Sequence, residues 1–209
     1  MTTQHSDNSS YSNSEPSMAF HPYNVLMILV IASLSVIFLS LSAAFIYTRV
    51  TSELPPIKLP PIFLFNTLVL LASSGTMYWA KQSYLKDHTQ NYQNALAATI
   101  LISLIFLVLQ FLGWKSLFQQ EIFISSDNAA SYLYVISGLH FLHVIGGLPF
   151  IGIFLWSAKK KMKNPVSVLV YFSDPEKKLK LRLLTLYWHF LDGLWIYLVL
   201  FFWINYLIH

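Results

Sequence analysis

Five long apolar runs, none interrupted by Lys, Arg or Glu, constrain this chain more than any other feature. They extend over about 24–47, 61–80, 95–113, 130–157 and 183–207. Each approaches or exceeds the roughly 20 residues that a helix needs to cross a hydrocarbon core. Of the 209 residues, 56% are hydrophobic and 11% charged, too little polar sequence to clothe five such helices in water. The expected fold class is therefore an all-α membrane protein, a five-transmembrane-helix bundle occupying 24–209. Residues 1–23, rich in Ser and Asn and without Lys or Arg, lack the pattern of a signal peptide and are expected to form a polar flexible tail.

Charge gives an orientation. Lys159, Lys160, Lys161, Lys163, Lys177, Lys178, Lys180 and Arg182 crowd into one basic inner loop, 158–182, and Lys81 and Lys86 join them after the second run. The opposite loops hold Arg49, Lys58 and Lys115. The positive-inside bias then places the N-terminus inside and the C-terminus, His209, outside. The net charge of +4 thus belongs to a membrane-facing loop, and nothing in its placement suggests a nucleic-acid surface. With no cysteine in the sequence, disulfides, thiolate catalysis and Cys-ligated metals are excluded.

Local signals agree with these boundaries. Pro55, Pro56, Pro60 and Pro61 break the chain between the first two runs, and Asp127 and Asn128 suit the start of the fourth. Trp79, Trp114, Trp156 and Trp203 fall near run ends, where an indole anchors in the headgroup layer. Ser40, Ala44, Ala72, Gly75, Gly146 and Gly147 are small enough to admit a neighbouring backbone. There is no internal repeat, which argues against a transporter of inverted halves.

Four polar residues stand out within the apolar runs: His140 and His143 in the fourth, His189 and Asp192 in the fifth. Each pair is spaced i, i+3 and so shares a helix face. Asp192 is the only acidic residue within a run, and a carboxylate in lipid needs an inward orientation and a partner. The expected partner is a histidine of the fourth span or a neighbouring hydroxyl. Imidazoles and a carboxylate can also hold a metal, or a haem axially, but interhelical hydrogen bonding is the commoner use of such residues in a bundle.

The segments around these residues resemble a known family. Ser137-Gly-Leu-His140-Phe-Leu-His143-Val-Ile-Gly146-Gly147 and Tyr187-Trp188-His189-Phe-Leu-Asp192-Gly-Leu-Trp195-Ile-Tyr197 are similar to the two C-terminal signature segments of haem-copper oxidase subunit III. Phe65-Asn66-Thr67-Leu-Val-Leu-Leu-Ala72-Ser73-Ser74-Gly75 with Trp79-Ala80 resembles an earlier helix, and Gln110 and Trp114 match the helix after it. The resemblance covers roughly 25–207 and implies the five-span form. Leu34 stands about where many relatives hold a membrane-buried glutamate, and Gly113 where an acidic residue often precedes the aromatic, so neither acid is carried over.

What the resemblance implies is a non-catalytic subunit of a proton-pumping terminal oxidase that accepts electrons from cytochrome c. Such a subunit stabilises the catalytic subunit I and associates with subunit II and a small subunit IV, in a bacterial inner membrane. No catalytic, metal or cofactor-binding residue is expected in this chain, with haem and copper residing in the partner subunits. Bound phospholipid is expected, and Asn66, Trp79, His140, His143, Trp188, His189, Asp192 and Trp195 are the structural or lipid-cleft candidates. Three other readings stand beside this one. They are subunit III of a quinol oxidase, an independent haem-binding membrane cytochrome, and a small ion transporter centred on Asp192.

Overall fold

The computed structural model describes residues 22–52, 57, 59–124 and 127–208. Most of the expected polar tail lies outside these residues, as do Pro55, Pro56, Lys58 and His209. Among the described residues the chain is helical: α1 (Pro22–Thr51), α2 (Pro61–Leu85), α3 (Thr89–Gln119), α4 (Asn128–Lys161), α5 (Pro165–Ser173) and α6 (Pro175–Leu207). All but α5 are long and apolar enough to cross a membrane.

The five long helices outrun the apolar stretches that predict them. They contain 25 to 34 residues, or roughly 38 to 51 Å at about 1.5 Å per residue, against a hydrocarbon thickness of about 30 Å. The excess carries polar ends beyond the apolar layer. In the basic segment 158–182, α4 runs on to Lys161, α5 follows as a separate short helix, and α6 begins at Pro175. Proline sets these starts: Pro61, Pro165 and Pro175 occupy first-turn positions, where a missing N–H costs nothing. Asp127 caps α4 by accepting from the Ala130 amide at 2.6 Å, and Asp174 caps α6 by accepting from the Glu176 and Lys177 amides.

The turn between α2 and α3 is tight. Asp87 takes a left-handed conformation (φ 56°), and the His88 and Asp87 amides donate back to the Ser83 and Tyr84 carbonyls. That six-to-one and five-to-two closure is a Schellman ending with Asp in the place usually held by Gly.

Buried positions recur at alternating steps of three and four, as in Phe63, Asn66, Leu70, Ser73, Met77, Ala80 and Tyr84 of α2. In α6 the series runs Leu181, Leu184, Trp188, Leu191, Trp195, Leu198 and Phe202. This spacing keeps one seam facing a neighbour along the whole helix, as in packing of the coiled-coil kind. The most extensive seam joins α2 to α3; α3 then meets α4, α4 meets α1, and α1 and α2 both meet α6, which also touches α4.

Arg49 and Arg182, the two arginines of the sequence, hold the α1–α6 seam at its opposite ends. Arg49 donates to the backbone and side-chain oxygens of Asn205, and Arg182 donates to Asn24 Oδ1 at 3.1 Å.

Of the small residues expected to admit a neighbouring backbone, Gly147 meets a close neighbour. A Cβ at Gly75 or Gly146 would meet nothing within 4 Å, and Ser40 and Ala72 are exposed. The expectation is corrected on those positions because small size permits close approach but does not choose the face that turns inward. Gly113, named in the sequence only for the acid it lacks, is a second true contact: a Cβ there would lie 3.1 Å from the Phe63 ring.

Candidate functional site

The concentration of polar side chains lies inside the bundle, where α2, α3 and α6 meet. Antiparallel packing of α2 and α3 aligns their small polar residues as rungs. Asn66 Nδ2 donates to Gln110 Oε1 at 3.1 Å, Ser73 Oγ lies 3.1 Å from Ser103 Oγ, and Thr76 Oγ1 lies 2.9 Å from Thr99 Oγ1. Moving from Asn66 to Thr76 along α2 descends α3 from Gln110 to Thr99, as the antiparallel register requires.

The third helix locks onto these rungs through its tryptophans. Trp188 Nε1 donates to Ser73 Oγ at 3.0 Å, and Trp195 Nε1 donates to Thr67 Oγ1 at 3.2 Å. An indole can only donate, which makes Ser73 the acceptor from Trp188, and the engagement of the Ser103 proton elsewhere makes Ser73 the donor to Ser103. Ser73 accepts from Trp188 and donates to Ser103, whose own proton goes to the Thr99 carbonyl at 2.6 Å. Thr67 likewise accepts from Trp195 and donates to the Phe63 carbonyl. Thr67 and Ser103 each bond both their own helix and a neighbouring one, and Ser73 bonds two neighbouring helices, leaving no dangling proton in an apolar interior.

The candidate residues divide between this seam and its surroundings. Asn66, Trp188, Trp195, His140 and Asp192 are buried, His143 and His189 half-buried, and Trp79 exposed. Trp79 is thus separated from the rest by the rotation of α2, which turns Met77 and Ala80 inward. His189 Nδ1 meets Ser74 Oγ at 2.6 Å, and Ser74 is also the hydroxyl beside the Asp192 carboxylate. His140 packs its ring on Trp195, centroids 4.9 Å apart, with the edge of Phe106 at 6.0 Å. His143 turns the other way, its Nδ1 2.6 Å from the Leu139 carbonyl of its own helix and its ring toward Phe38 of α1.

The α4 histidines therefore do not serve as hydrogen-bond partners of Asp192. Among the described residues neither Asp192 oxygen nor either His140 nitrogen has a direct hydrogen-bond partner, and the neighbouring hydroxyl comes from α2. The α4–α6 contact is made by size: a Cβ on Gly147 would come within 2.9 Å of Trp188 Cζ3 and 3.1 Å of Tyr187 Cε1. Tyr187 adds a hydrogen bond to the His143 carbonyl at 3.2 Å. Pro149 lies just beyond in α4, where its missing N–H leaves the Ile145 carbonyl without its helical donor. Among the described residues no three or more His, Asp or Glu side chains converge in a way that could hold a metal ion.

The hydroxyl residues Thr67, Ser73, Ser74, Thr76, Thr99 and Ser103 carry much of the seam, and sequence reasoning passed over them as pairs. Their signal is spacing: Asn66 precedes Ser73, and Ser103 precedes Gln110, by two helical turns within otherwise apolar runs. A side chain repeated on that period stays on one seam.

The comparisons with known proteins agree with this architecture. A family model described as Cytochrome c oxidase subunit III matches residues 6–206. The cytochrome c oxidase subunit 3 of Papio hamadryas is 32% identical over 147 residues, covering 70% of this chain and 50% of the relative. That of Cyprinus carpio is 31% identical over 183 residues, covering 82% of this chain and 65% of the relative. That of Podospora anserina is 29% identical over 187 residues, covering 84% and 64%. The chain thus spans between half and just under two thirds of the length of these curated relatives.

Proposed function

Because this chain belongs to the cytochrome c oxidase subunit III family, an assignment that also makes it an integral multi-pass membrane protein, we propose that it is the non-catalytic subunit III of a haem-copper terminal oxidase. In this role it buttresses the catalytic subunit I, alongside subunit II and a small subunit IV, in a bacterial inner membrane. Haem and copper, and the reduction of dioxygen coupled to proton pumping, belong to the partner subunits. Cytochrome c is the electron donor to the complex in this reading.

One observation carries the supporting role. The polar side chains of the seam join helix to helix: Trp188 to Ser73, Ser73 to Ser103, Asn66 to Gln110 and Trp195 to Thr67. Such cross-links rigidify a bundle and leave its outer apolar surface to meet lipid and partner helices. Asn66, His140, Trp188, His189, Asp192 and Trp195 act as internal framework in this proposal, His143 joins α4 to α6 through its carbonyl, and Trp79 faces the lipid or a partner subunit. The lysines after α2 and α4 put the N-terminus on the inner side by the positive-inside bias.

Family membership does not favour the readings as an independent cytochrome or an ion transporter. Purification in mild detergent tests the proposal. A large haem-bearing partner should co-purify with the chain, and a second partner with a dinuclear-copper motif should mark the cytochrome c form over the quinol form. The reading fails if the chain purifies alone with a Soret band that His140→Ala abolishes.

A further inference from the structure

We propose that α5 and the lysines that precede it form a binding site for one anionic phospholipid, seated at the end of the bundle where α4 stops and α6 starts. The inference gives a place to the bound phospholipid that the sequence led us to expect, and it rests on the chain's place in a membrane, independently of its oxidase partners.

The first observation is the two-sidedness of α5. Nine residues, Pro165–Ser173, span only about 14 Å at 1.5 Å per residue and cannot cross a bilayer. One side of this helix is anchored in the bundle. Tyr171 and Phe172 are buried, the Phe172 ring lies 5.1 Å from that of Tyr84, and the Tyr84 hydroxyl donates to the Tyr171 carbonyl at 3.2 Å. The other side is equally apolar yet open: Val166, Leu169 and Val170, at i, i+3 and i+4, are 75%, 66% and 65% exposed. A short helix fixed by one face, with three branched aliphatic residues on the other, has the form of an interfacial helix whose outer face meets acyl chains.

Charge completes the site. A groove of about 470 Å³ runs between the end of α4 and α5, lined by Lys160, Lys161, Lys163, Val166, Val170 and Lys177 among others. Lys177 is spoken for, bonded to Asp174 at 2.7 Å. Among the described residues no carboxylate pairs with Lys160, Lys161 or Lys163. Lys160 lies 5.0 Å above the ring of Trp156, which is 65% exposed and of the type that anchors in the headgroup layer. Three uncompensated ammonium groups at headgroup depth, adjoining an open aliphatic face, match a phosphate-bearing headgroup with its acyl chains attached. Neither half alone makes the match. An inorganic anion leaves Val166, Leu169 and Val170 uncovered, and a zwitterionic lipid brings no net charge to the lysines.

Full-length chain in nanodiscs of mixed phosphatidylcholine and phosphatidylglycerol provides the test, read by native mass spectrometry of the lipid that stays bound. The chain should retain one phosphatidylglycerol in preference to phosphatidylcholine. The triple variant Lys160→Gln/Lys161→Gln/Lys163→Gln should lose that preference by about tenfold or more, since each lysine near a membrane surface contributes appreciably. Lys81→Gln/Lys86→Gln, at the end of α2 on the same end of the bundle, should leave it intact. Equal retention by the wild type and the triple variant overturns the site. So does wild-type release of the lipid by inorganic phosphate, which marks a free-anion site, or by a Glu-rich peptide, which marks an acidic protein partner. If the glutamine variant does not fold, the wild type still decides the matter: equal retention of the two lipids overturns the site, as does a phosphatidylglycerol preference that does not weaken as ionic strength rises. Loss of the oxidase partners leaves this readout unchanged, so the two readings fail separately.

Discussion

Trp188 occupies the space that any side chain at Gly147 would need, with Cζ3 only 2.9 Å from the position of a Cβ there. The same indole donates to Ser73, so α4 is seated against α6 by contact with a ring whose place is already fixed from α2. A ring held on both sides cannot yield easily.

Gly147→Ala should therefore destabilise the chain by about 1–3 kcal/mol through overpacking, even though alanine favours a helix. Gly146→Ala, where a Cβ meets nothing within 4 Å, is the internal control and should leave the isolated chain unharmed. Thermal unfolding in detergent compares the two. Equal melting temperatures for both variants would show that Trp188 moves aside.

Asn66 and Gln110 are both buried, so removing one strands the other. Asn66→Leu and Gln110→Leu should each be destabilising alone, while the double variant should lose less than the sum. A coupling of about 0.6–1.7 kcal/mol is expected for an interhelical bond of this type. Denaturation of the four proteins in a double-mutant cycle gives the number. Strict additivity would mean that the pair contributes nothing across the seam.

Arg182→Gln should free the start of α1 by removing the tie to Asn24 while leaving the far end, held by Arg49 and Asn205, unchanged. Amide exchange should then rise in the first turns of α1 relative to the wild type, with little change near Tyr47. A uniform rise along α1 would contradict two independent ties.

Asp174 gives a pH dependence with a definite sign. The Lys177 ammonium bonded to its carboxylate, assisted by the Lys177 and Glu176 amides, holds the Asp174 carboxyl below its usual range despite some desolvation. A depressed folded value means that the contribution to stability is complete above the unfolded pKa, near about 3.9, and is lost as pH falls through the folded value. Protection of the Glu176 and Lys177 amides, corrected for intrinsic exchange, should fall over that acidic window. Asp174→Ala should remove the cap at every pH, at a local cost of about 1 kcal/mol, and Asp174→Asn should keep the cap but lose the pH step. Persistence of the step in Asp174→Asn would assign it to another group.

Much of the interior was legible from residue type, because a polar atom in lipid must find a place inside. Asn66, His140, Trp188, Asp192 and Trp195 are all buried. Their partners were harder to read. The expectation for Asp192 offered an α4 histidine or a hydroxyl, and the neighbouring group is Ser74 on α2, since the sequence contains no statement of which two of five helices face each other. Trp79 lies exposed on α2, and residue type did not separate it from the buried candidates, because lining a lipid cleft and anchoring at a headgroup require the same indole near the same helix end.

The sequence by itself determined the number of crossings, their order, the start of α2 at Pro61 and of α4 at its Asp127 cap, and the end of the bundle on which lysines collect. Each of these follows from a local quantity: the length of an apolar run, a fixed φ, or the cost of moving charge through lipid. The rotation of each helix, and so the seam, was decided only by tertiary packing. In water the apolar face marks the core, but here lipid is as apolar as the interior, and Leu68 and Leu71 lie exposed beside Leu70, which is buried. With hydrophobicity silent, orientation rests on a few hydroxyls, two tryptophans and the close approach at Gly147, and those acquire meaning only once the neighbouring helix is in place.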